Sequence, residues 1–347
     1  MQYLNIDAPK RISKIGLGTW QFGSAEWGYG ESYAEREARV IVRRALDLGI
    51  TLFDTAEIYS SGRSERILGR ALGAGRQDAF VGTKIFPLFP TAAAVRHRAR
   101  ASARRLDVTR IDLYQSHFPN PMVSDQVIMR GMRALQDGGR IGEVGVSNYP
   151  VARWRSAEDA LGGRILTNQV QYSLLDRAPE RSLLPFAADG GRVIIAFSPL
   201  AHGLLSGRFH EDSLPLNRVR AGHPLFGPDS LDRTRGLIAT LREVAGGHGA
   251  TPAQIALAWV IRHPAVAAIP GASSVAQLES NAAAADITLA DDEYDALSEA
   301  SAAAGATAVP AAEPGQDLTS ALRHCARCGW YVARTSWQDY RTAAYGS

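Results

Sequence analysis

The alternation of short apolar runs with longer amphipathic stretches restricts the fold of this chain more than any other feature. Eight runs have the length and the Val, Ile and Phe content of strands buried on both faces. They cover 14–20, 51–55, 79–85, 110–117, 141–148, 165–172, 192–200 and 266–271. Helical patterns lie between or after them, at 35–48, 64–73, 91–106, 125–137, 151–161, 232–246, 251–263 and 274–285. This order is typical of repeated βα units and a parallel sheet.

Eight such units predict an α/β protein with a (β/α)8 TIM barrel. An open doubly wound sheet would carry a G-x-G-x-x-G turn after an early strand, but "GLGTWQFG" (16–23) lacks that spacing and has no helix directly after it. We assign the barrel to residues 1–300. The Ala- and Pro-rich stretch 301–315 is predicted to be linker-like. Residues 316–347 form a C-terminal tail rich in aromatic residues, which we expect to dock on the barrel or on a neighbouring subunit.

The composition indicates a globular protein that acts on small molecules such as metabolites or cofactors. The 347 residues are 46% hydrophobic and 21% charged, with a net charge of +3. The basic stretch 96–105 has the spacing of a solvated helix face, so no nucleic-acid partner is predicted. The chain has no apolar signal or membrane-spanning run, and its two cysteines indicate no disulfide framework. We therefore expect a cytoplasmic protein without a membrane partner, and a homo-oligomer is compatible with the sequence.

Four chemically distinct side chains follow three consecutive strands. Asp54 ends the second run and Tyr59 follows it, Lys84 ends the third run, and His117 ends the fourth. Each has a structural alternative: Asp54 as a helix cap, Tyr59 as an amphipathic residue that only fills space, Lys84 as a side chain reaching from a strand to solvent, and His117 as an ordinary packed residue. Because the carboxyl ends of barrel strands lie on one face, their coincidence favours a catalytic site.

The chemistry of these groups suits protonation of a carbonyl. A phenol has a reference pKa of about 10, and a nearby ammonium lowers that pKa and eases proton donation. A carboxylate would hold the ammonium in place, and an imidazole would orient the carbonyl oxygen. Such a group contains no hydride donor, so it implies a nicotinamide cofactor.

Later strand ends offer groups that suit such a cofactor. Ser147, Asn148 and Gln169 are uncharged hydrogen-bonding residues that suit a carboxamide. Phe197 is an aromatic at a strand end, and the small-residue loop after it ends in Arg208. "IPGASS" (269–274) leads into a helix, where backbone amides suit a phosphate. Ordinary turns and caps are the alternative, in particular for Ser273.

Ordered motifs over residues 10–300 resemble the aldo-keto reductase superfamily. They are "GLGTW", "FDTAEIYSSGRSERILGRAL", "TK", "DLYQSH", "GVSNY", "NQVQYS", "FSPLAHGLLSGRF" and "IPGASS". The resemblance implies Tyr59 as general acid and base, with Lys84 and Asp54 tuning it and His117 orienting the carbonyl. It also implies NADPH bound at the carboxyl-terminal face. The expected cofactor contacts are Gly18, Thr19, Trp20, Asp54, Ser147, Asn148, Gln169, Phe197, Ser198, Leu200, Gly203, Leu204, Ser206, Arg208, Gly271, Ser273, Gln277 and Asn281.

Two parts of the chain depart from that pattern. Similar members often carry an acidic residue where this chain has Ser280, which concerns an adenine contact. The tail matches no pattern, although its Cys325 and Cys328 lie close to a histidine. A metal site would need a further ligand, so none is predicted.

The substrate is the least determined part of the function. The aromatic residues expected to line an apolar pocket, with core packing as the alternative, are Trp20, Trp27, Phe86, Phe118 and Phe226. The leading function is NADPH-dependent reduction of an aldehyde, ketone or keto-sugar. The alternatives are reduction of a conjugated enone-type or dehydrated keto-sugar intermediate, and a nucleotide-sensing regulatory subunit with little turnover.

Overall fold

Eight parallel strands follow one another around the molecule in chain order. They are β1 (Leu17–Gly18), β2 (Leu52–Asp54), β3 (Phe80–Ile85), β4 (Ile111–Ser116), β5 (Ile141–Ser147), β6 (Thr167–Gln171), β7 (Val193–Phe197) and β8 (Val266–Ala268). Parallel bridges join Ile15 to Ala268 and Gly18 to Gly271, so the first strand also meets the last. The sheet is therefore a (β/α)8 barrel, and the predicted fold class is confirmed.

Helices connect the strands in this computed structural model, which describes residues 1–23, 31–87, 90–120, 123–209, 213, 220 and 223–305. Within these ranges the helices are α1 (Glu31–Asp47), α2 (Arg63–Leu72), α3 (Ala92–Leu106), α4 (Asp125–Asp137), α5 (Val151–Leu161), α6 (Leu183–Asp189), α7 (Pro228–Gly247), α8 (Pro252–Ile261), α9 (Val275–Ala283) and α10 (Asp291–Ala303). None of them is long and apolar enough to cross a membrane.

Local sequence explains where several helices begin. Thr91 accepts a hydrogen bond from the Ala94 amide at the start of α3, and Ser124 accepts one from the Gln126 amide at the start of α4. These bonds satisfy amides that have no partner within the helix. Thr251 begins α8 with a capping box and a proline in the first turn.

The barrel interior changes from apolar to polar along the strands. Leu52 and Phe80, the first residues of their strands, share an apolar cluster with Leu4 from the amino-terminal segment. Nearer the carboxyl ends, Gln115 lies fully buried. A β-carbon at Gly145 would lie 2.7 Å from Cγ of Gln115, so the glycine makes room for this side chain. The polar part of the interior therefore lies at the carboxyl ends of the strands, where the predicted catalytic residues are placed.

The sequence located the helices within a few residues but missed two of them. α6 and α10 were not predicted, because short or weakly periodic helices give little signal over their length. α10 continues to Ala303, so the stretch predicted to be linker-like begins in a helix. The rest of that stretch and the tail, with Cys325 and Cys328, lie outside the described residues, and the domain division stays a prediction.

Candidate active site

A buried ion pair lies at the ends of β2 and β3. Nζ of Lys84 donates to Oδ2 of Asp54 over 2.6 Å and to the Thr55 carbonyl over 2.8 Å. The lysine is fully buried and the aspartate is 2% exposed. Strand pairing sets this contact, because Asp54 is paired with Gly82, two residues before the lysine in β3. A fully buried ammonium needs such partners.

The same ammonium also reaches the predicted phenol. Nζ of Lys84 donates to the hydroxyl oxygen of Tyr59 over 3.3 Å. Tyr59 lies in the turn after β2, where its carbonyl accepts a hydrogen bond from the Ser64 amide. Lys84 therefore links a carboxylate to a phenol.

The electrostatic environment keeps the lysine charged. Burial lowers the pKa of Lys84, but the negative charge of Asp54 and the hydrogen bonds to Asp54 and Tyr59 outweigh burial, so the net pKa is raised. The ammonium form therefore persists throughout the neutral pH range.

His117 completes the group of four residues. Its ring meets the ring of Tyr59 edge to face, with centroids 5.8 Å apart. Phe118 stacks on the His117 ring, with centroids 4.6 Å apart and an interplanar angle of 2°. The His117 amide donates to the Ile85 carbonyl, which ties the end of β4 to the end of β3. Packing thus fixes the plane of the imidazole.

The structural alternatives for Asp54 and Lys84 do not match the geometry. The residue before α2 is Gly62, so Asp54 does not cap that helix. Lys84 does not reach solvent. The structure brings all four predicted residues together, while their catalytic roles stay predictions.

The three residues predicted to hold a carboxamide form one cluster at the ends of β5 and β6. The Ser147 hydroxyl donates to the Gln169 carbonyl over 2.8 Å and accepts from Nδ2 of Asn148 over 3.0 Å. Asn148 has a left-handed backbone with φ of 61°. Nε2 of Gln169 donates to Oδ1 of Asp54 over 2.7 Å, a contact that sequence reasoning did not predict. The expected cofactor cluster therefore touches the ion pair.

The loop after β7 has unusual backbone geometry where cofactor contacts were predicted. Ser198 has a left-handed backbone with φ of 50°, and Ala201, His202 and Gly203 also have positive φ. Non-glycine residues seldom adopt this conformation, and it concentrates at binding sites. The other predicted contacts of this segment lie in or beside it: Phe197 ends β7, Leu200, Gly203, Leu204 and Ser206 are in the loop, and Arg208 is exposed after it.

The start of α9 carries the contacts predicted for the far end of the cofactor. Ser274 caps the helix, so the capping role considered for Ser273 belongs to its neighbour. The Ser273 amide donates to Oε1 of Gln277 over 2.9 Å. Asn281 is buried, and its Nδ2 donates to the Gly271 carbonyl over 3.3 Å.

The segment after β1 packs directly behind Asp54. A β-carbon at Gly18 would lie 2.7 Å from the Ile269 carbonyl oxygen, so glycine permits the close approach of β1 to the chain after β8. The Thr19 hydroxyl donates to the Asp54 carbonyl over 2.9 Å and is fully buried. Trp20 is 41% exposed at this face.

The predicted pocket aromatics occupy different environments. Trp20 is exposed and Phe86 is half-buried beside His117, so these two can face a substrate. Phe118 is 8% exposed and Phe226 is 6% exposed, the latter packed on Phe209. Trp27 lies outside the described residues.

Sequence reasoning missed Glu57, which lies between Asp54 and Tyr59. Its Oε1 accepts a hydrogen bond from the Phe86 amide over 2.6 Å, and Arg98 of α3 forms an ion pair with it. This carboxylate therefore ties the loop after β2 to the loop after β3. The only available signal was a second carboxylate between Asp54 and Tyr59 in the sequence.

Comparison with known proteins places the chain in a family. The profile of the Aldo/keto reductase family matches residues 14–302. An uncharacterized oxidoreductase of Mycobacterium tuberculosis is 56% identical over 303 residues, covering 87% of this chain and 94% of the relative. The methylglyoxal reductase YeaE of Escherichia coli is 32% identical over 291 residues, covering 83% of this chain and 91% of that protein.

Solved structures agree. The crystal structure of an aldo-keto reductase from Klebsiella pneumoniae in complex with NADPH superposes with a TM-score of 0.71 at 30% identity, covering 86% of this chain and 94% of that one. The chain belongs to the aldo/keto reductase family. The predicted family is thus confirmed.

Proposed function

We propose that this protein reduces the carbonyl of an aldehyde, ketone or keto-sugar to an alcohol with NADPH, and that Tyr59 is the general acid. The observation that carries the proposal is the fully buried ammonium of Lys84, which contacts both a carboxylate and the Tyr59 hydroxyl. Structural stability alone would not require the contact between the ammonium and the Tyr59 hydroxyl.

The electrostatics support proton donation by the phenol. When Tyr59 gives its proton to the carbonyl oxygen, a phenolate remains 3.3 Å from the ammonium. A cation at that distance favours the phenolate over the neutral phenol. Asp54 keeps the ammonium charged and oriented, and the ring of His117, held between Tyr59 and Phe118, is placed to orient the carbonyl oxygen.

The residues around this group fit a nicotinamide cofactor. The structure shows no hydrogen bond from a described residue to Oε1 of Gln169, so this oxygen can accept from the NH₂ of a carboxamide. The left-handed loop after β7 and the start of α9 lie at the same barrel face and suit the phosphates. When bound, NADPH supplies the hydride. The NADPH-bound relative from Klebsiella pneumoniae supports this assignment.

The decisive test is Tyr59→Phe. The variant keeps the ring and its contacts with His117 but lacks the acidic proton. We expect kcat for carbonyl reduction to fall by about 10²–10⁴-fold, since general acid catalysis typically contributes that much. NADPH absorbance at saturating cofactor measures the rate.

Fluorescence titration provides the control for this variant. NADPH should bind to Tyr59→Phe with nearly unchanged affinity, and the melting temperature should stay close to that of the parent. A variant that binds NADPH and reduces the carbonyl at the parental rate would exclude Tyr59 as the acid.

The first substrates to assay are small 2-oxoaldehydes. The 32% identical relative from Escherichia coli is named a methylglyoxal reductase. Among the described aromatics, Trp20 and Phe86 leave room for contact with a substrate, and the panel should therefore extend to aromatic aldehydes and keto-sugars.

A further inference from the structure

The Asp54 carboxylate is held from two sides of the barrel. Lys84 donates to Oδ2 over 2.6 Å, and Nε2 of Gln169 donates to Oδ1 over 2.7 Å. Two hydrogen bonds on different oxygens fix the plane of a carboxylate as well as its position. Asp54 is therefore held more firmly than an ion pair alone would hold it.

Gln169 reaches Asp54 across the barrel. It lies on β6, paired with Ser147 of β5 and Ile195 of β7, whereas Asp54 is on β2. The backbone carbonyl of Gln169 accepts hydrogen bonds from the Ser147 hydroxyl and from the backbone amide of Asn148. Both the strand and its neighbours thus set the direction of the glutamine side chain, which is 3% exposed.

We infer that Gln169 is a positioning residue for proton donation, acting on Tyr59 through Asp54 and Lys84. This inference rests on the proposed function. By donating to Oδ1, the amide takes up part of the negative charge of the carboxylate. Asp54 then neutralises the charge of Lys84 less fully. The ammonium therefore stabilises the phenolate of Tyr59, 3.3 Å away, more strongly.

Removal of the amide should therefore make Tyr59 a weaker acid. In Gln169→Met the carboxylate loses one of its two donors and draws the ammonium more strongly. The alkaline limb of the kcat profile, which follows loss of the acid proton, should shift to higher pH. We expect kcat at neutral pH to fall by about tenfold, part of what a hydrogen bond to a charged group contributes.

Gln169→Glu gives a sharper test because the shape of the side chain is kept. The introduced carboxyl lies against Asp54 and can donate to Oδ1 only when it is protonated. The deficit relative to the parent should therefore be large at pH 8 and much smaller at pH 6. A residue that merely fills space would show no such recovery. This variant also serves if Gln169→Met does not fold.

Gln115 provides a matched control. It is a fully buried glutamine on β4 inside the same barrel, and its Oε1 accepts from the Thr167 hydroxyl over 3.2 Å. The structure shows this bond for the Gln115 side chain and no hydrogen bond from it to Asp54. Gln115→Met should change the melting temperature but leave the shape of the kcat profile unchanged.

A measurement without cofactor separates this role from carboxamide binding. The tyrosinate absorbance of the parent minus that of Tyr59→Phe isolates the titration of Tyr59 in the protein alone. Repeated in the Gln169→Met background, the midpoint should move to higher pH. An unchanged midpoint, together with variants that differ from the parent only in NADPH affinity, would show that Gln169 serves the cofactor alone.

The two proposals fail separately. If Tyr59→Phe retains the parental rate, the proposed function is wrong. If Tyr59 is required but the Gln169 variants keep the parental pH profile, only the inference about Gln169 is overturned.

Discussion

Two buried carboxylates lie eleven positions apart in the sequence, and the surroundings of their ion pairs differ. Asp54 pairs with Lys84, and Glu65 of α2 pairs with Arg105 of α3 over 2.5 Å. Both carboxylates also accept from a neutral donor, Gln169 for Asp54 and Thr83 for Glu65. Lys84 has a further contact with a phenol, while Arg105 binds the Ser102 hydroxyl and is partly exposed.

The difference shows that burial and ion pairing do not by themselves mark a catalytic group. Burial raises the pKa of Glu65, and Arg105 and Thr83 oppose that rise. This pair lies between two outer helices and joins them. The Asp54 pair lies at strand ends, where its cation meets a partly exposed tyrosine. On our proposal, the contact with a phenol and the place at the strand ends distinguish the catalytic pair from the supporting pair.

The largest effect is expected when the cation of Lys84, which we propose to act in catalysis, is removed. Lys84→Met should lower kcat by at least about 10²-fold, because the phenolate loses its stabilising charge. It should also lower the free energy of unfolding by about 3–5 kcal/mol, since Asp54 remains buried without a cation. Steady-state kinetics and chemical denaturation measure the two losses.

The double variant Asp54→Asn with Lys84→Met is the control for folding. Removal of both charges should restore much of the stability but none of the activity. Recovery of activity in the double variant would contradict the assigned role of the ammonium.

The same change at the second pair should affect stability alone. Arg105→Met leaves Glu65 buried, and we expect a loss of about 2–4 kcal/mol, reduced by the partial exposure of the arginine. Turnover well below the melting temperature should match the parent. A fall in kcat as large as that of Lys84→Met would remove the distinction between the two pairs.

The pH dependence of Arg105→Met has a definite sign. The raised pKa of Glu65 means that the folded protein binds this proton more tightly than the unfolded chain does. Loss of the arginine increases that difference. The stability deficit should therefore grow as pH rises above the usual range of a glutamate and shrink toward acidic pH.

The smallest effect on stability is expected at Asp176. The structure shows no ion pair between this carboxylate and another described residue. Burial raises its pKa from 3.8 to about 6, and the Ala178 amide opposes that rise. Because the folded pKa is the higher, its contribution to stability falls as pH rises from 3.8 to about 6. Asp176→Asn should add on the order of 1–3 kcal/mol at pH 7 and almost nothing at pH 3.5.

Thermal melts at the two pH values check this prediction. Asparagine keeps the oxygen that accepts from Ala178, so the native contact survives. An equal gain at both pH values would show that ionisation of Asp176 carries no stability penalty.

The amino-acid sequence alone determined the order of the elements and the face of the barrel at which the candidate catalytic residues lie. Asp54, Lys84 and His117 were found because hydrophobic periodicity locates strand ends, and parallel barrel strands all end at one face. Ordered motifs then gave the family. These inferences need only local patterns and the topology that the patterns allow.

Only the tertiary structure decided which partners these residues have. Gln169 meets Asp54 across 115 positions of the chain, and Glu65 meets Arg105 across 40. Such contacts depend on strand register, on the space left by glycines and on the rotamers that packing permits, none of which a periodic pattern contains. The sequence therefore determined where the charged groups gather, and three-dimensional packing determined which of them act together.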